Sequence, residues 1–161
     1  MKDSDRDSGA CSNAKALAPR APIQQEAFLA ILSAADALAA ELEAVLKESD
    51  LSATQYNVLR ILRGAGDEGL PCGRIAERMI TRDPDMTRLL DRLEKRGLIE
   101  RSRDVEDRRI VRGRISPAGL RAVALLDEPV IELHRRQLHG LNKSETNQLV
   151  ELLRKTIERI D

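Results

Sequence analysis

Aromatic side chains are nearly missing from this sequence. Its 161 residues include no tryptophan, one phenylalanine (Phe28) and one tyrosine (Tyr56). Leucine, isoleucine, valine and alanine must therefore fill the interior, which suits packed helices better than a β-sandwich. Cysteine is scarce as well. Cys11 and Cys72 do not make a disulfide framework, so a reducing cytoplasm is the expected setting. No apolar run approaches the roughly 20 residues that span a bilayer, which argues against a membrane role. The opening "MKDSDRDSGACSNAK" holds no apolar stretch of the kind a secretory signal requires. No glycine-rich phosphate loop, nucleophile–base set or metal-ligand cluster appears. His134 and His139 are five apart, a poor helical spacing for shared metal ligation. The reading is thus of a protein that is not an enzyme and carries no metal or cofactor.

Net charge is missing too, but only in the total. The 27 basic residues balance 27 acidic ones. Residues 74–114, however, hold 13 Arg/Lys against 9 Asp/Glu, whereas residues 21–50 hold one Lys against six Asp/Glu. A locally basic region is what matters for nucleic-acid binding. With 42% hydrophobic and 34% charged residues, the length fits one soluble domain with a packed core.

Residues 1–22 are small and polar, end in a proline-punctuated stretch, and are expected to form a mobile tail. From Ile23 to about Lys47 an apolar stripe recurs at helical spacing through Phe28, Ala35, Leu38, Leu42 and Val45. "LSATQY" predicts a helix start: Ser52 and Gln55 make a capping box, and Leu51 and Tyr56 a hydrophobic staple. "GAGDEG" ends that helix near Arg63. A third helix is predicted from near Pro71, with Ile75, Ala76, Met79 and Ile80 on one face. Next, Asp83 as cap and Pro84 at the first position predict a helix over 84–96, closed by a left-handed Gly97. Its buried stripe is Met86, Leu89, Leu90 and Leu93. Two short helices joined by "ITRD" make a helix-turn-helix.

After Gly97 the period changes. "LIERSR" and "RRIVRGRIS" read as two strands joined by a turn at "DVED", with Gly113 marking a bulge or weak pairing. This hairpin crowds five arginines and three acids into the thirteen residues 102–114. Placed after a helix-turn-helix, it reads as a wing. Ser116 and Pro117 then start a helix that Pro129 should kink or divide. Asn142 and Glu145 cap a last helix with Leu149, Leu152, Leu153, Ile157 and Ile160 on its apolar face. The fold class is mainly α with a small β-hairpin (α+β).

That order, with "MTRLLDRLEKRGLIERSRDVEDRRIVRGRISPAG" inside it, resembles the MarR (multiple antibiotic resistance regulator) family of winged helix-turn-helix repressors over about residues 25–160. The resemblance implies a transcriptional regulator that binds double-stranded DNA through residues 51–116. Residues 23–48 and 117–161 would then form a helical dimerisation region. On the recognition helix the implied DNA-binding residues are Pro84, Asp85, Thr87, Arg88, Asp91 and Arg92. Arg88 and Arg92 are four apart and share one face, where arginine donates to guanine in the major groove. Asp85 suits the helix dipole and Asp91 is expected to brace Arg88 or Arg92. On the wing, the family pattern places Arg109 in the minor groove with Asp107 orienting it, Arg108 near phosphate, and Arg103, Arg112 and Arg114 along the backbone. Arg74, Arg78 and Arg82 are further candidates for phosphate contact.

The apolar stripes of the first and last helices exceed what one small domain covers, so a homodimer is expected, with half-sites about 34 Å apart on a pseudo-palindromic operator. The family also implies a small-molecule effector that releases DNA. No motif identifies that effector, and the scarcity of aromatics argues against a stacking-rich pocket. Two other readings stay open. One is a dimeric module whose winged helix docks protein. The other is a redox-sensing regulator using Cys72, which sits in the first turn of a helix where the dipole favours a thiolate.

Overall fold

Among residues 22–81, 84–104 and 107–158, which the computed structural model describes, six α-helices and a two-stranded hairpin follow in the anticipated order, with one further short strand that was not anticipated. They are α1 (Ile23–Lys47), α2 (Ala53–Ala65), β1 (Leu70–Pro71), α3 (Cys72–Arg78), α4 (Met86–Lys95), β2 (Ile99–Arg103), β3 (Val111–Ile115), α5 (Pro117–Gln137) and α6 (Lys143–Ile157). The predicted tail, apart from Pro22, lies outside the described residues, as do Cys11, Arg82, Asp83 and Ile160. No described helix is long and apolar enough to cross a membrane.

Local signals set the helix starts. Ser52 Oγ accepts from the Gln55 amide (3.2 Å) while Gln55 Oε1 accepts from the Ser52 amide (3.1 Å). Leu51 and Tyr56, the staple pair, are both buried. Asn142 Oδ1 accepts from the amides of Ser144 and Glu145, and Glu145 Oε2 accepts from the Asn142 amide. Ser116 caps α5 by accepting from the Gly119 amide at 3.0 Å.

Leu59 and Leu62 of α2, Ile75 of α3, Leu89, Leu90 and Leu93 of α4, Ile99 and Ile115 of the sheet, and Val123 and Leu126 of α5 share one buried cluster. Each fully buried leucine contributes about 1.5–3 kcal/mol by leaving water. This cluster is the platform from which the outer faces of α4 and the hairpin project.

Four details differ from the sequence reading. First, α3 stops at Arg78: Met79 turns to extended backbone, and Ile80 leaves the apolar face, 85% exposed, with its amide donating to Asn57 Oδ1. Second, α4 begins at Met86 with Asp85 as its cap, accepting from the Arg88 amide, so the helix is two residues shorter at its start than the Asp83–Pro84 reading has it. A second aspartate two residues on offers the same capping chemistry, and pattern alone does not choose between them. Third, α5 runs unbroken through Pro129. Proline removes only the hydrogen bond that its own nitrogen would have donated to the Leu125 carbonyl, one turn back on an exposed stretch of the helix.

Fourth, the hairpin belongs to a three-stranded sheet of order β1-β3-β2, and Gly113 is no bulge. It pairs with Leu70 on one side and Arg101 on the other. A Cβ at Gly113 would stand 3.2 Å from Ile75 Cδ1, and one at Gly69 would stand 2.3 Å from the Gly113 carbonyl oxygen. Glycine here permits close approach of β3 to α3 and to the chain entering β1. The two-residue β1 is too short for any alternation to announce it.

Candidate nucleic-acid interface

The outer face of α4 presents Thr87, Arg88 and Arg92, all exposed, with Pro84 exposed just before the helix. Leucines on the opposite face hold this orientation, because residues three and four apart share one side of a helix. Arg88 is tethered at its base: its Nε lies 3.1 Å from Asp85 Oδ2, while its side chain stays 82% exposed. Arg92 projects freely from the same face, with no carboxylate partner among the described residues.

Asp91 braces neither Arg88 nor Arg92, contrary to the expectation. It faces the hairpin and accepts from Arg101 Nη2 at 2.5 Å. The same guanidinium donates to Glu94 Oε2 from Nη2 (2.6 Å) and Nε (2.9 Å). Hydrogen bonding to Glu94 foremost, with Asp91 adding, raises the Arg101 pKa further above its ordinary value. Arg101 thus ties α4 to β2, a residue the sequence reading missed. A signal was present: Arg101 lies two residues beyond the buried Ile99, on the strand face turned toward the core and α4.

At the wing, Asp107 Oδ1 accepts from the Arg109 backbone amide (2.9 Å), and the Ile110 amide donates to the Asp107 carbonyl (2.9 Å). Asp107 therefore shapes the tip by orienting the backbone of Arg109 (an Asx turn) rather than by gripping its guanidinium. Arg103, Arg108 and Arg109 are exposed and, among the described residues, unpaired with any carboxylate. Val105 and Glu106, in the predicted "DVED" turn, lie outside the described residues.

Arg112 is used inwardly. Its Nε donates to Asp104 Oδ2 at 2.5 Å, and its Nη1 reaches the carbonyls of Glu68 and Gly69. Asp104 also accepts from the Asp107 amide, so Arg112 and Asp104 support the tip from its base. Arg114 is likewise engaged, across the strands, by Glu100 at 2.8 Å, which raises its pKa. On α3, Arg74 pairs with Glu77 at 2.7 Å and Arg78 is exposed.

Two ion pairs fasten this body together. Arg63 of α2 donates to Asp127 of α5 at 2.8 Å, and that hydrogen bond holds the Asp127 carboxyl below its ordinary pKa. Arg96 at the end of α4 reaches the Asp50 carbonyl (2.6 Å) and carboxylate (3.2 Å) in the α1–α2 loop. Cys72 is half-buried, which weighs against the redox-sensing alternative. Burial pushes its thiol pKa up, outweighing the nearby Arg101 charge that pulls it down, so the thiolate is disfavoured.

A charged helix face beside a cationic hairpin tip, both carried on one apolar platform, is the winged helix-turn-helix arrangement. A family model described as the MarR family matches residues 51–111. The MarR transcription factor from Planctomyces limnophilus is 40% identical, with 84% of this chain and 98% of that one covered and a TM-score of 0.65. This chain belongs to the MarR family. The HTH-type transcriptional repressor IacR of Pseudomonas putida is 28% identical over 112 residues, 70% of this chain and 66% of that protein. Bordetella bronchiseptica BpsR, whose DNA binding is regulated by 6-hydroxynicotinic acid, is 25% identical with a TM-score of 0.73, and the match covers 81% of this chain and 98% of that one. As a MarR-family member the chain is a DNA-binding transcription regulator.

Proposed function

We propose that this MarR-family regulator is a sequence-specific repressor that binds a pseudo-palindromic operator as a homodimer and is released by a small-molecule effector. The observation that carries the reading is the free guanidinium set: Arg92 on α4, and Arg103, Arg108 and Arg109 on the wing, are all exposed and unpaired among the described residues. Cations without internal partners are what a phosphate-lined groove recruits. Thr87, Arg88 and Arg92 would read the major groove, with Asp85 holding Arg88. Arg109 would enter the minor groove from a tip shaped by Asp107, and Arg103, Arg108, Arg74 and Arg78 would set the register on phosphates. Asp91 and Arg112 would support the interface rather than touch DNA.

Pairing of chains is supported by apolar side chains left in solvent. Phe28, Leu29 and Leu32 on α1 are each more than half exposed, and so are Leu152 and Ile157 on α6. Residues 23–48 and 117–161 would supply the dimer contacts and residues 51–116 the DNA contacts.

For the effector we favour a cavity of about 270 Å³ lined by Leu42, Tyr56, Met79 and Ile80, with Asn57, Arg60 and His134 among its polar groups. Tyr56 contributes an aromatic ring to its lining. Relatives support the reading in kind: IacR is a repressor and BpsR responds to a small molecule.

Selection of bound duplexes from a random library by the purified protein, followed by affinity measurements against salt, tests the proposal. A two-half-site sequence should emerge, and log K should fall steeply with log salt. Arg92→Ala should cost roughly 1–3 kcal/mol on the selected duplex and less on a scrambled one. Equal losses on both would assign Arg92 to phosphate. Failure to enrich any sequence would remove the operator reading.

A further inference from the structure

Two acids on a DNA-reading helix are an anomaly, since each repels the phosphates that the helix approaches. Asp91 adjoins Arg92 in sequence, and Glu94 follows one turn after. Both carboxylates are gathered on Arg101 of β2, at 2.5 Å and 2.6 Å, and the Arg101 side chain is only 22% exposed. One planar guanidinium thereby spans two positions of α4 from a strand that ends in the wing.

The backbone of Arg101 is itself held. It pairs with Gly113, the residue that packs against Ile75, in the middle of the β2–β3 ladder. The chain between α4 and β2 is only Arg96, Gly97 and Leu98, turning at Gly97 with φ 68°. Leucines anchor the inner face of α4, but apolar contacts are non-directional and tolerate small rotations about the helix axis. A forked, charge-assisted pair of hydrogen bonds has strict geometry and does not. Rotation of α4 is the motion that would swing Arg88 and Arg92 relative to Arg108 and Arg109.

We propose that Arg101 is a positioning residue for DNA recognition: acting through Asp91 and Glu94, it fixes the aim of the recognition helix relative to the wing, so that both reach their grooves at once. In its DNA arm the proposal rests on the sequence-specific reading above. Arg101 touches no DNA in this scheme, and lysine does not replace it: Nη2 reaches both carboxylates, but Nε donates to Glu94 as well, and an ammonium lacks that second donor fixed in one plane with the first.

Two measurements test it. In the first, spin labels at Lys95→Cys and Arg108→Cys, in a C11S/C72A background with labelled chains diluted into unlabelled ones, report the distance between helix end and wing tip by pulsed electron resonance. The parent should give a narrow distribution, and R101K and R101M broad ones, at temperatures where melting curves show each variant folded. A distribution as narrow in R101K as in the parent overturns the proposal, even if R101M does not fold. In the second, unlabelled variants are compared on the duplex that the parent selects from a random library and on a scrambled duplex. R101K should lower the ratio of the two affinities about tenfold, the worth of one base contact. The triple variant R101M/D91N/E94Q removes brace and carboxylates together. It should keep the low ratio, whereas restoration of the parental ratio would make Arg101 a mere charge mask and overturn the positioning role. If the parent selects no sequence, the operator reading fails while the distance measurement still decides the role of Arg101.

Discussion

Helices α4 and α6 carry the same kind of sequence and meet opposite fates. Each is amphipathic, and each starts at a side chain that accepts from backbone amides of its first turn. In α4 three leucines of ten residues are buried, whereas α6 buries none of its fifteen. Leu152 is 55% exposed and Leu93 not at all. Helical periodicity states that a face will be covered; it is silent on whether the cover comes from the same chain. Isolated apolar side chains in solvent are ordinary, but a whole stripe of them marks an interaction surface.

The contrast is broken most severely by putting charge on the bare face. Leu149→Asp with Leu152→Asp should leave the monomer folded but convert a dimer to monomers in sedimentation. Affinity for a two-half-site duplex should then fall roughly 100-fold or more, as linked half-sites become independent. If the doubly charged variant still sediments as the parent does, α6 is not a subunit interface. Truncation sharpens the same comparison in energy. Leu59→Ala, at a fully buried position, should cost about 2–5 kcal/mol in urea unfolding. Leu152→Ala, measured where the chain is monomeric, should cost a small fraction of that, and equal costs would erase the distinction.

A smaller effect is expected at the joint between the hairpin and α5. Ser116 is buried, accepts from the Gly119 amide and donates to the Gly97 carbonyl at 2.6 Å. Ser116→Ala should cost about 1–2 kcal/mol, read by thermal or urea melting. The smallest effect concerns Asp127. Arg63 lowers its folded pKa, so this contribution is present at pH above the ordinary carboxylate value of 3.8 and is lost as pH falls through the lowered one. Both side chains are about a third or more exposed, which limits the pair to about 0.2–1 kcal/mol. The stability gap between the parent and Asp127→Asn should therefore be measurable at pH 7 and vanish in strong acid. A gap that persists there would point to packing instead of charge.

Much of the interface was legible because it depends on local rules. The capping box at Ser52, the left-handed turn at Gly97 and the leucine stripe of α4 follow from spacing and backbone sterics, and they place Arg88 and Arg92 outward by default. The partners of the charged residues were not legible. Asp91 has Arg88 and Arg92 close by in sequence, yet it bonds Arg101 ten residues on, because the chain reverses at Gly97 and lays β2 beside the helix. Arg112 has the composition of a DNA contact and the position of a strut, since β1, too short to foresee, brings the Glu68 and Gly69 carbonyls within its reach.

The order of the helices and the hairpin, the capped starts of α2, α5 and α6 and the division of each helix into an apolar and a charged side follow from the chain's own residues, since each depends on neighbours within a turn or two. Which arginines remain unpaired and which are consumed inside the protein does not. A guanidinium is spent on whatever carboxylate or carbonyl folding brings within about 3 Å, and those groups arrive from distant parts of the chain.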